Sequence, residues 1–138
     1  NGLPHEVPLS KQALQILGEQ PRRLGGGKIP RDLMFGRGNG PFSGWSRSKA
    51  RLDDALSVGS GQEKALISNW RIHDLRRTMV TMMAERLDVL PHVIESVVNH
   101  VSGHKAGVAG IYNRATYAKE KRLALYAWAD YLDDIVKT

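Results

Sequence analysis

The run over residues 72–87, Ile-His-Asp-Leu-Arg-Arg-Thr-Met-Val-Thr-Met-Met-Ala-Glu-Arg-Leu, constrains this chain more than any other stretch. Its apolar residues Ile72, Leu75, Met79, Met82, Met83 and Leu87 recur at three- and four-residue spacing. That spacing predicts an amphipathic helix with one apolar face to bury. Projected at about 100° per residue, Asp74, Thr78, Thr81 and Glu85 form the polar face, while Arg76 falls between Ile72, Met83 and Leu87. A guanidinium on the apolar side calls for a partner, because taking its charge out of water unpaired costs several kcal/mol. His73 lies one turn earlier, at the i,i+3 position, so imidazole and guanidinium can converge beside the helix N-terminus. Free N–H groups and the positive end of the dipole suit an anion there, a phosphate in particular. A His-x-x-Arg on a helix is also what an exposed polar pair looks like, or an arginine paired with a carboxylate, so the rest of the chain has to decide.

Downstream, Leu90-Pro91-His92-Val93-Ile94-Glu95-Ser96-Val97-Val98-Asn99-His100 reads as a second, short helix, with Pro91 in its first turn and Ile94, Val97 and Val98 facing inward. His100 stands at its end. A glycine-bearing loop over 101–110 then leads to Ile111, Tyr112, Asn113 and Arg114.

With these three pieces in order, the chain resembles the tyrosine recombinases, also called phage-type integrases. The family pattern is a His-x-x-Arg on a helix, a helix ending in Gly-His or a similar pair, and an Ile-Tyr or similar pair about ten residues later. His73 and Arg76, Asn99-His100 and Ile111-Tyr112 match the three boxes, and the resemblance covers essentially the whole chain. One departure is that His100 precedes Tyr112 by 12 residues, a few more than the family's commonest spacing. His104 therefore competes with His100, although the helix-end position favours His100.

The resemblance implies a mainly α fold with a small β element (α+β), and a chemistry in which Tyr112 attacks a DNA phosphodiester to leave a 3′-phosphotyrosine bond and a free 5′-hydroxyl. Such a covalent intermediate retains the energy of the phosphodiester, so strands can be rejoined without ATP. Arg76, with its planar fork, together with His73 and His100 would hold the charge that builds on the phosphoryl oxygens. His73 could also accept the tyrosine proton, since an imidazole titrates near neutral pH. No metal or other cofactor is required. The expected partners are double-stranded DNA and further copies of the chain assembled on it.

Composition agrees in direction. With 20 Lys+Arg against 14 Asp+Glu the formal charge is +6 and the pI about 9.8, which favours a polyanionic partner. At 138 residues and 41% hydrophobic content, the chain is one domain's worth and long enough for a real core. Cysteine is absent, which removes disulfides and thiolate metal sites and is compatible with a reducing cytoplasm, the expected location, in a bacterial or phage setting. No segment approaches the roughly 18 apolar residues of a membrane span, and no signal peptide is visible.

At the start, Asn1-Gly2 is the favoured type I′ turn pair, followed by an extended segment in which Leu3, His5, Val7 and Leu9 alternate with other residues. A hairpin turn needs a strand on both sides, so residues 1–138 read as the C-terminal part of a catalytic domain whose first hairpin strand lies upstream. In the resembled family that strand carries a catalytic lysine, and an earlier helix carries a first catalytic arginine. Ser10 is placed to cap a helix to about Leu17, with Ala13, Leu14 and Leu17 inward and Gly18 at its end. The run 21–30, with Gly25-Gly26-Gly27, reads as a linker, since no strand precedes it and no Gly-Lys-Ser/Thr follows. Leu33-Met34-Phe35 reads as a short extended piece.

A helix opened by Ser43-Gly44 should run to about Leu56, burying Trp45, Leu52 and Leu56 and turning Arg47, Lys49 and Arg51 outward. On a DNA-binding surface those three cations are candidate phosphate contacts, as are Arg77, Lys105 and Arg114. Residues 57–69 read as a flexible connection. Thr116 should cap a last helix from Tyr117 to about Val136, with Leu123, Ala127, Trp128, Tyr131, Leu132 and Ile135 as a wide apolar stripe that packs on its own core or on a neighbouring protomer. A topoisomerase of type IB, with similar chemistry, and a DNA-binding module without catalysis remain the alternatives. A helix-turn-helix regulator is disfavoured, because no short helix-turn-helix unit presents a polar recognition face.

Overall fold

The computed structural model describes residues 4–22, 24, 32–36, 40–56, 69–100 and 115–137. Among them are five helices and no strand: α1 Lys11–Gly18, α2 Trp45–Leu56, α3 Ile72–Glu85, α4 Pro91–Val97 and α5 Ala118–Lys137. The fold is therefore mainly α. The chain divides into two compact units, one of Asn1–Ile16 with Arg76–Thr138 and the other of Leu17–Leu75.

In the first unit the core lies where α3, α4 and α5 meet. Met83 of α3 is fully buried among Val93, Ile94, Val97 and Val98 and Ala124 of α5, with Met79, Val80, Leu87, Val89, Leu125 and Trp128 closing over it. Burying a side chain of this size is worth about 1.5–3 kcal/mol. The inward face expected for the second helix is the one observed, and Ala124 is small enough to let α4 pack closely on α5.

The helix ends follow from their residues. Ser10 caps α1, its hydroxyl oxygen accepting the Ala13 N–H at 3.2 Å. Leu90 is extended (φ −62°, ψ 139°), as the residue before a proline is driven to be, and Pro91 occupies the first turn of α4, where its missing N–H costs nothing. At the other end of α4, Asn99 turns into the left-handed region (φ 51°) and the His100 N–H returns to the Glu95 carbonyl at 3.0 Å, a Schellman closure.

Several sequence expectations are corrected. The described part of the alternating segment, residues 4–9, joins no strand. It is tied down by side chains instead, with His5 Nε2–H donating to the Ser96 carbonyl at 3.1 Å and the Lys121 ammonium to the Glu6 carbonyl at 3.0 Å. Leu14 is exposed, and α1 is held through Gln12, whose amide donates to Asp130 at 2.9 Å and Asp133 at 3.1 Å.

In α5 the buried stripe runs through Lys121, Ala124, Leu125, Trp128 and Ala129, while Leu123 is 59% exposed. Leu123 stands about 140° round the helix from Trp128, so the two cannot share one buried face. The cap of α5 falls at Tyr117, whose carbonyl accepts the Lys121 N–H at 2.8 Å, and not at Thr116.

In the second unit α2 has the expected bounds and buries none of its residues. Trp45, Leu52 and Leu56 are all exposed, and Leu33-Met34-Phe35 forms exposed bends in place of an extended piece. The half-buried residues of α2 are Lys49 and Asp53, which neutralise each other at 2.6 Å. A charged pair therefore occupies the positions that the leucines were expected to fill. Asn1-Gly2, the triple glycine and residues 57–68 lie outside the described residues.

Candidate functional site

The site is built on the end of α4. Arg76, in the second turn of α3, reaches across 22 positions of sequence and donates through Nη2 to the carbonyl of Val98, the residue that caps α4. The last carbonyls of a helix have no partner within it and carry the negative end of its dipole, so a guanidinium is well matched to them. Arg76 is itself exposed, as are Ile72 and Leu75 on the same face, so the contact is a helix-end interaction and not the pairing of a buried charge that its position was expected to require. The contact brings the His-x-x-Arg helix to the Asn99-His100 box: His100 is two residues beyond Val98, exposed, and its backbone is fixed by the turn at Asn99. Asn99 occupies a left-handed position, which glycine and asparagine tolerate best, so an Asn-His pair performs the same backbone turn as a Gly-His pair.

His73 is exposed on the first turn of α3. The N-terminus there is less open to an anion than the sequence suggested, because the Asp74 carboxylate already accepts the Arg71 N–H at 2.8 Å. A carboxylate at that place is favourable to the helix dipole and competes with any phosphate for the same donors. Arg77 is exposed beside Arg76.

On α2, Arg47 and Arg51 stand one turn apart and line an open cleft of about 570 Å³ with Gly36, Gly40, Pro41, Phe42, Ser43, Gly44 and Ser48. Gly36 has φ 93°, a conformation a side chain would strain. Lys49 departs from the outward position expected of it. Its ammonium bonds both oxygens of Asp53 at 2.7 and 2.6 Å and lies 4.0 Å from the centroid of the Trp70 ring. That charge is occupied within the fold, whereas Arg47 and Arg51 project from it.

Tyr112, Lys105, Arg114 and His104 lie outside the described residues. Two features here were not anticipated. One is the Lys49–Asp53–Trp70 cluster, for which the i,i+4 spacing of Lys49 and Asp53 was the available sign. The other is Lys121, only 7% exposed on the inner face of α5, for which no local sign existed.

Over 133 residues, 96% of its length, the chain is 31% identical to Prophage integrase IntZ of Escherichia coli (strain K12). The similarity supports an integrase-family relationship. The chain spans 29% of the length of that relative. No family model and no solved structure matches the chain. Among the described residues, no helix is long and apolar enough to cross a membrane.

Proposed function

We propose that this chain is the C-terminal part of the catalytic domain of a tyrosine recombinase, acting in site-specific DNA recombination. The observation that carries the reading is the contact of Arg76 with the end of α4, which joins the first two of the three boxes in space. The similarity to a prophage integrase over nearly the whole chain points the same way.

In this reading the phenolic oxygen of Tyr112 attacks the scissile phosphorus and the bond to the 5′ oxygen breaks, leaving a 3′-phosphotyrosine and a 5′-hydroxyl. His73 takes the phenol proton. Arg76, His73 and His100 supply donors to the phosphoryl oxygens as charge builds on them, the part of such reactions where fixed donors contribute most. The proton for the leaving oxygen comes from a general acid, in the resembled family a lysine. Arg47, Arg51, Arg77, Lys105 and Arg114 act as contacts to DNA phosphates, which position the duplex without reading its sequence. Several copies assemble on paired DNA sites.

The test uses the natural polypeptide that carries these residues and a pool of nicked duplexes of randomised sequence, from which covalent adducts are recovered under denaturing conditions. The unaltered protein should yield adducts, and Tyr112→Phe, which keeps the ring and removes only the nucleophilic oxygen, should yield none while still binding DNA. Adducts undiminished in Tyr112→Phe overturn the assignment of the nucleophile. DNA binding with no adduct in either protein favours a module without catalysis.

A further inference from the structure

Trp70 stands three residues ahead of His73 and is gripped from two sides. Its indole Nε1–H donates to Asp53 Oδ1 at 2.9 Å, and the ammonium of Lys49 sits 4.0 Å from its ring centroid. The same ammonium bonds both oxygens of the same carboxylate, so cation, anion and indole close a ring of contacts in which each member holds the other two. The Lys49 side chain is 21% exposed and that of Asp53 44%, so solvent screens the pair in part and the indole covers the cation from one side.

The backbone around Trp70 is also set. Asn69, immediately before it, has φ 60°, the left-handed conformation that asparagine adopts more readily than most residues, and so turns the chain into Trp70. Immediately after it, the Arg71 N–H is taken by Asp74. The segment is thus held at Trp70 and again between Arg71 and Asp74, and His73 lies inside that interval. The hold is not that of an apolar core. No residue of α2 is buried, and Trp45, Leu52 and Leu56 of that helix are exposed. The described tie between α2 and the start of α3 is this polar cluster.

We infer that Lys49, Asp53 and Trp70 are positioning residues for His73, fixing the first turn of α3 so that the imidazole meets the scissile phosphate in a set geometry. The inference rests on the proposed role of His73. None of the three touches DNA: the charge of Lys49 is spent on Asp53 and Trp70, and Asp53 is an anion. Their effect is on the rate of the chemical step and not on affinity, because a displacement of about 1 Å in a reacting group costs on the order of 100-fold in rate.

The experiment has two arms, each with Trp70→Phe, Asp53→Asn and Lys49→Arg. In the first, single-turnover adduct formation and DNA affinity are measured on the natural polypeptide with a duplex recovered from the nicked pool. Trp70→Phe keeps the ring under the cation and loses the donor to Asp53; Asp53→Asn loses the anion. Each should slow adduct formation about tenfold or more with affinity within twofold, the double variant should be no slower than the slower single one, and Lys49→Arg, which keeps the cation, should restore most of the rate. In the second arm, the imidazole resonances of His73 are followed in the chain described here, assigned with His73→Gln. They should broaden or shift in Trp70→Phe and Asp53→Asn and stay in place in Lys49→Arg.

Rates within twofold of the unaltered protein, or losses that track affinity, overturn the inference. So do unmoved His73 resonances. If Trp70→Phe fails to fold, Asp53→Asn decides by the same criteria. Absence of adduct from the unaltered protein is the failure of the proposed function, and the resonance arm still decides whether the cluster governs His73.

Discussion

The guanidinium of Arg76 donates to the carbonyl of Val98, so the side chain expected to face a phosphate also closes the end of a neighbouring helix. Arginine can serve both purposes because its five N–H donors lie in one rigid plane: one can be fixed to a carbonyl while others face outward. A lysine has three donors on one compact nitrogen and no planar fork to present to a phosphate while one donor is held elsewhere. The contact therefore orients the fork before any ligand arrives, and an arginine held in advance needs less reorganisation at the moment charge develops.

Arg76→Lys should accordingly separate the two roles. Adduct formation should fall by about 100-fold or more, on the scale seen when a fixed donor to a developing oxyanion is lost. Folding stability should fall by no more than about 1.5–3 kcal/mol, the worth of a hydrogen bond from a charged donor. Single-turnover cleavage beside urea denaturation checks both, and a loss of stability large enough to unfold the chain would show that the residue is chiefly structural.

Met83→Ala should destabilise the chain by about 2–5 kcal/mol, because Met83 is 0% exposed and its truncation leaves a void at the junction of α3, α4 and α5. Leu123→Ala, at a side chain 59% exposed, should change stability by no more than about 0.5 kcal/mol. Chemical denaturation of the two variants side by side measures the contrast, and comparable losses would mean that the inner face of α5 is misplaced.

What the sequence disclosed about the fold was the part governed by local rules. Ser10 as a cap, Pro91 in a first turn, the bounds of α2 and α3 and the inward side of α4 follow from propensities and spacing within a few residues. The outcome was poorer where burial depended on distant partners. Trp45 and Leu52 have the right spacing to be buried and are not, because α2 turns Lys49 and Asp53 to the inside, where Trp70 completes them. Leu123 and Trp128 are both apolar, but the helical angle separates them and only Trp128 packs on the core. For the site, the helical angle puts Arg76 on the apolar side, but that end of α3 is exposed at Arg76, Ile72 and Leu75, and its partner was not legible either, since Val98 is 22 residues away and offers a backbone atom that any residue would offer.

Asn99→Gly should leave stability within about 1 kcal/mol of the original, whereas Asn99→Val should cost about 1–3 kcal/mol, because a β-branched side chain is strained at φ 51°. Thermal melts give the comparison. In the natural polypeptide the valine variant should also lose cleavage activity, since it disturbs the turn that places His100. Equal melting temperatures for Gly and Val would show that the left-handed turn is not maintained.

Binding to duplex DNA should weaken steeply with salt, and Arg47→Ala and Arg51→Ala should each reduce the slope of log affinity against log salt by about one. Lys49→Met should leave the slope unchanged, because that ammonium already has its counter-ion in Asp53. Fluorescence titrations at several salt concentrations distinguish the three. A slope change for Lys49→Met equal to that of Arg47→Ala would mean that the ion pair opens when DNA binds.

Self-association, if it runs through α5, should use the apolar side chains the core leaves uncovered toward the helix end, Leu132 and Ile135, which are 40% and 54% exposed. Trp128 packs against the core and is unsuited to the test. Leu132→Asp with Ile135→Asp should convert an oligomer to a folded monomer in analytical ultracentrifugation. Sedimentation of the unaltered chain as a monomer at high concentration would assign that surface to something else.

The turn at Asn99 also bears on how such chains change over generations. Asparagine and glycine, both at ease in the left-handed region, are joined through aspartate by two single-base changes, AAY to GAY to GGY, and aspartate is enriched there too. Every step of that route keeps the hand of the turn. What the position before His100 requires is therefore the sign of one dihedral angle and not one side chain, and any of the three residues would satisfy it.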